Sequence, residues 1–93
     1  MTLLLKDPQA ALDYSVDWGA DYLIGESLVA SRWTVEPDEP GGIVIDSDRF
    51  EPTVATVVVH GGIAGRVYRL INIVTTSTAR DDSRSLVLRV GER

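Results

Sequence analysis

The chain has 93 residues, of which 44% are hydrophobic and 25% charged, with a formal net charge of −5 and no cysteine. At this length one small domain with a modest core is expected, because such a domain buries only about 60–68% of the surface its unfolded chain exposes. The acidic balance opposes non-specific nucleic-acid binding, which neutralises phosphates with Lys and Arg, and the lack of cysteine excludes disulfides, thiolate chemistry and Cys-based zinc sites.

In chain order, the apolar start Met1–Leu5 is ended by Lys6, Asp7 and Pro8. A signal peptide needs roughly 7–15 apolar residues and a spanning helix roughly 20, so neither a signal peptide nor membrane insertion is expected. Leu3, Leu4 and Leu5 have no evident place in an alternating pattern. Residues 1–6 read either as a docking arm or as an extra edge strand. In "DPQAALD" (7–13), Asp7 suits an N-cap and Pro8 the first helical position, which gives a turn or two of helix at most. "GADYL" (19–23) could hold another short turn.

The dominant period is two. Leu12, Tyr14, Val16 and Trp18 alternate with Asp13, Ser15 and Asp17, as in a strand with one buried face. Over 27–36, Val29, Ser31, Trp33 and Val35 share one side, and Leu28, Ala30, Arg32, Thr34 and Glu36 the other. "EPDEPGG" (36–42) is a loop, because two prolines and two glycines cannot sustain a ladder. Ile43–Ile45 is a short strand and "DSDRFEP" (46–52) a turn-rich connection. Thr53–His60 and Arg66–Thr76 are β-branched runs and form strands. A last strand takes in Leu86, Leu88 and Val90. Six strands at this spacing, or seven with an N-terminal edge strand, indicate an all-β sandwich or barrel. In 66–76, Tyr68 and Leu70 are in step with each other but out of step with Ile71 and Ile73. Either a β-bulge near Asn72 reverses the faces, or both faces of the strand are covered, as under a neighbouring subunit.

"HGGIAGRVYRL" (60–70) looks most like a functional signature. A catalytic or metal-binding histidine needs a second group, and His60 continues the face of Thr56 and Val58 at a strand end. Phosphate loops run from strand to glycines to helix. Here a strand follows the glycines, so Gly61, Gly62 and Gly65 read as a strand connection. A tyrosine just after a turn glycine, opening the penultimate strand, is the arrangement of the tyrosine corner of Greek-key sandwiches. That gives Gly65 and Tyr68 a structural role. Asp46, Asp48 and Glu51, and separately Asp81 with Asp82, offer hard oxygen ligands for calcium. The first group lacks the glycine and full ligand count of an EF-hand loop, and Asp and Ser favour turns by bonding their own backbone. No metal, cofactor or catalytic residue is expected. Trp18 and Trp33 lie on apolar strand faces and read as core.

Two segments, "KDPQAALDYSVDW" (6–18) and "GGIAGRVYRLINIVTTSTARDDSRSLVLRV" (61–90), resemble small structural proteins of tailed bacteriophages and prophages of the fiber–tail adaptor type. The resemblance rests on Lys6-Asp7-Pro8, Leu12-Asp13-Tyr14, Asp17-Trp18, Trp33-Thr34-Val35, Gly61-Gly62 through Tyr68, Ile73 through Thr76, Arg80, Asp82, Arg84-Ser85 and Arg89-Val90. Where the family tends to carry Gly before the Arg-x-Asp motif, this chain has Ala79. The resemblance implies an immunoglobulin-like (Ig-like) Greek-key β-sandwich of six to seven strands spanning 1–93. Its function would be that of a non-enzymatic virion part working through protein–protein contacts in tail, neck or head. Other virion proteins and repeated copies of the chain are the expected partners, without nucleic acid. The virion, or the host cytoplasm during assembly, is the expected location. Leu3, Leu4, Leu5, Ile71 and Ile73 are the interface candidates. The competing class is a stand-alone Ig-like binding or adhesion module for calcium, a glycan or a host surface protein.

Overall fold

A computed structural model describes residues 3–8, 10–20 and 22–91, with seven strands and, among the described residues, no helix. The strands are β1 (Leu3–Lys6), β2 (Leu12–Asp17), β3 (Leu28–Glu36), β4 (Ile43–Phe50), β5 (Val54–Gly61), β6 (Val67–Thr76) and β7 (Asp81–Val90). A four-stranded sheet has the order β1-β7-β6-β3, and a three-stranded sheet the order β2-β5-β4. Neighbours are antiparallel except β1, which runs parallel to β7 with Leu3 opposite Val87 and Lys6 opposite Val90. Met1 and Thr2 of the N-terminal segment, Gln9 and Asp21 of the two expected helical turns, and the side chains of Leu3 and Leu5 lie outside what is described. Ala10 N–H donates to Asp7 O (3.1 Å) and Tyr22 N–H to Trp18 O (3.1 Å).

The alternation read from the sequence builds the core. Ala55, Val57 and Val59 of β5, Val16 and Trp18 at the end of β2, and Ile43 of β4 are buried from the three-stranded side. Tyr68, Leu70 and Val74 of β6, Leu88 and Val90 of β7, and Leu28 and Trp33 of β3 meet them from the other. Each buried Val, Leu or Ile side chain among them contributes about 1.5–3 kcal/mol on leaving water.

Three expectations are corrected. The segment 46–50 is not a connection: β4 continues to Phe50, with a bulge between Ile45 and Ser47 that leaves Asp46 as the extra residue. Asp and Ser are poor strand formers, but β5 is a β-branched template, and pairing overrides local preference. In β3 the irregularity between Leu28 and Ala30 buries Leu28 and exposes Val29, the reverse of simple alternation. No bulge occurs at Asn72, because β6 keeps unbroken register with β7 from Val67 to Thr75. Asn72 points into the core, where its amide is satisfied. It accepts from Trp18 Nε1–H (2.8 Å) and donates to Ser31 Oγ (2.9 Å) and Arg32 O (3.1 Å). A buried amide with its partners in place carries little desolvation penalty.

Candidate functional site

The connection between β5 and β6 crosses from one sheet to the other. Gly61, Gly62 and Gly65 have φ of 82°, 111° and 87°. Gly62 is also required by space, since a Cβ there would meet Val90 Cγ2 at 2.7 Å. Gly65 N–H donates to Val90 O (2.8 Å) and Arg66 N–H to Ile63 O (3.0 Å). Tyr68, fully buried, closes the corner. Its Oη accepts from Ile63 N–H (3.1 Å) and donates to Glu39 Oε1 (2.8 Å), while Arg66 lies 3.5 Å from Glu39 Oε2. Burial, chiefly, raises the phenol's pKa above its ordinary value, so the neutral, donating form is favoured. The tyrosine thereby ties the loop 62–66 to the loop 37–42.

Lys6, which sequence reasoning passed over, supports the same corner from the core side. It is fully buried. Its ammonium donates to Asp7 O (2.9 Å), Ala10 O (2.7 Å) and Gly61 O (2.7 Å). Burial lowers its pKa, and the charge of Asp7 works in the opposite sense. The signal available in the sequence was the step of two from Leu4, which puts a cation on the core side of a strand that otherwise reads as apolar.

At the other end of the sandwich, the arginines of "ARDDSRS" stack on aromatic rings. Arg80 lies 4.5 Å above the Tyr22 ring and Arg84 4.7 Å above Trp18, and Tyr22 meets Trp18 edge-on at 5.3 Å. Arg80 is also paired with Glu26, whose carboxylate accepts the Thr78 hydroxyl. The basic side chains of this motif are thus engaged within the fold.

His60 and Asp46, singled out separately in the sequence, are brought together by the structure. His60 Nδ1 and Asp46 Oδ1 are 2.6 Å apart, with side chains 49% and 41% exposed. The bulge in β4 turns Asp46 toward the strand on which His60 sits. Asp48 and Glu51 do not join them. Among the described residues, no three His, Asp or Glu side chains converge as a metal site. Asp81 instead accepts from Thr75 Oγ1 (2.7 Å), and Asp82 accepts from Ser83 N–H (2.8 Å).

Of the interface candidates, Leu3–Leu5 are in β1, with Leu4 packed against the core. Ile71 and Ile73 are half-buried on the outer face of the four-stranded sheet, opposite Thr34 and Arg32 of β3. Ile73 lines a shallow groove of about 540 Å³ there, with Ala30, Arg32, Thr75 and Asp81. No helix of the described residues is long and apolar enough to cross a membrane.

Lys6, Tyr68, Trp18, Arg80 and Arg84, among the residues that carried the resemblance, thus lie in two clusters of one sandwich. Residues 6–89 match the family model described as "Podophage GP4 fiber-tail adaptor protein gp77". The chain belongs to this family. It is a structural protein of a phage particle. The family match opens at the buried Lys6 and takes in Trp18, the Tyr68 corner and both stacked arginines. None of the curated proteins matches the chain.

Proposed function

We propose that this adaptor is a non-enzymatic, Ig-like part of a tailed phage or prophage particle that works by protein–protein contact with other virion proteins. In this reading it is present in repeated copies, assembles in the host cytoplasm and remains in the virion, without cofactor or nucleic-acid partner. The strand orders support the Ig-like body. With β2 to β7 taken as strands B to G, β2-β5-β4 is the B-E-D sheet and β7-β6-β3 the G-F-C sheet of the immunoglobulin sandwich.

One observation carries the functional reading. Several of the residues that carried the resemblance are engaged within the fold: Lys6 binds carbonyls, Trp18 binds Asn72, Tyr68 binds Glu39, and Arg80 and Arg84 cover aromatic rings. A scaffold held together by these contacts leaves its faces and edges for binding. Exposed Ile24, Val29, Val44 and Val67 lie on those surfaces.

The test is deletion of the gene in the phage, with particles imaged by electron microscopy. Tails without fibers, restored by the wild-type protein and equally by the His60→Ala variant, are expected. Complete, infectious, fiber-bearing particles from the deletion would overturn the reading.

A further inference from the structure

Each sheet of the sandwich has two edges, and three of the four are guarded against pairing. Strand β1 has only 4 residues. Strand β2 carries exposed Asp13 and Asp17, and β4 is interrupted by its bulge and carries exposed Asp46 and Asp48. Short length, charge and bulges are the devices by which proteins blunt an open edge.

Strand β3 is different. It has 9 residues, and among the described residues its only ladder is with β6. At its start the Leu28 amide is taken by Pro52 O (2.8 Å) and the register is irregular, but from Ala30 to Glu36 the pairing with β6 is regular. That stretch, "ASRWTVE", contains no proline, glycine, lysine or aspartate. Its two charged side chains, Arg32 and Glu36, are four residues apart, both exposed, on the outer face.

We propose that the β3 edge pairs with the β3 edge of a second copy, antiparallel, about a two-fold axis through Thr34. Directly opposed residues in an antiparallel pair share a face, so the axis must pass at a residue. With the axis at Thr34, Arg32 opposes Glu36 of the second copy, and Glu36 opposes Arg32 of the second copy. Trp33 opposes Val35 of the second copy, again twice, and Thr34 opposes Thr34. Opposite-charge, aromatic–β-branched and Thr–Thr neighbours are the kinds that stabilise antiparallel strands. Every position from 32 to 36 therefore gains a favourable neighbour.

The adjacent registers lose this. An axis at Trp33 sets Arg32 against Thr34 and Glu36 against Ala30, leaving both charges without an opposite. An axis at Arg32 sets two arginines face to face. The strand's own charge pattern thus selects both the partner, a copy of itself, and the register. The result is one eight-stranded sheet in the order β1-β7-β6-β3-β3-β6-β7-β1. The net charge of −5 on each copy opposes long-range approach, but at physiological salt that repulsion is screened within about 8 Å.

This inference deepens the proposal of repeated copies by naming how two of them meet. Its test uses the isolated full chain, so it can fail while the gene deletion still supports the particle assignment. Tethered copies in a particle reach effective concentrations of about millimolar, so sedimentation equilibrium is run up to that range. Wild-type protein is expected to dimerise. Arg32→Glu alone and Glu36→Arg alone are each expected to raise the dimer dissociation constant at least tenfold, because each opposes like charges twice. An equimolar mixture of these two variants is expected to form a heterodimer as readily as the wild type, since every opposed pair is then of opposite sign. Both residues are exposed, so folding is not at stake.

The chain has no cysteine of its own. Thr34→Cys should oxidise to a covalent dimer, and Ala30→Cys should not. A monomer throughout the concentration range, a dimer indifferent to both charge changes, or a mixture that fails to associate would each overturn the proposal. So would a Thr34→Cys variant that crosslinks in particles to another virion protein and never to itself, which would assign the edge to a different strand.

Discussion

The turns on either side of β6 face the same steric demand and meet it differently. The turn before β6 places glycine at its left-handed positions and is held from the core by two buried polar groups, Lys6 and Tyr68. The turn after β6 places Ala79 at φ 64° and is held mainly through Thr76, the last residue of β6. There Ala79 N–H donates to Thr76 O (2.9 Å), Arg80 N–H donates to Thr76 Oγ1 (3.2 Å), and Ser77 N–H donates to Ser27 O (2.7 Å). The difference teaches that a crossing between sheets is secured from inside, where polar contacts are strong because water is absent. A hairpin within one sheet already has its ladder, and tolerates a strained residue.

The largest effect should come from the buried side of the first turn. Lys6→Met keeps the length of the side chain but removes its ammonium, leaving three carbonyls without their donor. A loss of about 3 kcal/mol or more is expected in denaturant unfolding, since each bond to a charged group is worth about 1.5–3 kcal/mol. A loss below about 1 kcal/mol would mean that Lys6 does not hold the corner.

Next comes Tyr68→Phe, with an expected cost of about 1–2 kcal/mol for the hydrogen bonds to Ile63 and Glu39. Its pH dependence sharpens the point. The folded pKa is raised from the ordinary 10.0, so the unfolded chain ionises first. The contribution of Tyr68 is therefore complete below pH 10 and falls as pH rises from there toward the folded value. Tyr14, also raised by burial, acts in the same direction. Lys6, lowered from 10.5, acts oppositely, because between its folded value and 10.5 the unfolded chain holds more protons and stability rises with pH. The difference between wild type and Tyr68→Phe, followed from pH 9 upward, isolates Tyr68. That difference should shrink with rising pH.

A reciprocal swap probes the left-handed positions directly. Gly65 has φ 87° and open space where a Cβ would go, so Gly65→Ala should lose about 1–2 kcal/mol from backbone strain alone. Ala79→Gly should gain about 0.5–1 kcal/mol, the relieved strain less the entropy of a glycine. For a domain of this size that is a rise in Tm of about 4 °C. No rise would show that the second turn carries no strain.

The smallest effect belongs to the contact that first looked chemical. The His60–Asp46 contact is shorter than the Tyr68–Glu39 bond, but both its side chains are near half exposed. Its removal by His60→Ala should change stability by less than about 0.5 kcal/mol, a difference read from paired unfolding curves.

What could be read in the sequence follows the range of each interaction. Side-chain alternation is local, so the two sheets and most of the core were legible. Tyr68 was legible too, because the amide that it binds is five residues away and the turn glycine lies between them. Asn72 was not. Its partner Trp18 is 54 residues distant, and without that bond an asparagine in a β-branched run suggests a bulge. Lys6 depends on Gly61, 55 residues on. In "DSDRF" the local preference was read correctly, but pairing with β5 overrode it. At the candidate site, the sequence marked the stretch around Tyr68 but weighed His60 first, since burial, which separates the two, is set by the whole fold.

The parallel pairing of β1 with β7 has a consequence for how the protein is made. The first strand has no place in its sheet until the seventh exists, and the Lys6 ammonium needs β5 as well before its three acceptors are gathered. Non-local pairings of this kind fold slowly, in about milliseconds to seconds. On a ribosome adding about 5–20 residues per second, the four-stranded sheet cannot close before its last strand has emerged. Until β7 is made, β1 stays unpaired and the outer end of the four-stranded sheet stays open, so a partner that needs the finished sheet can meet it only after synthesis has passed Val90.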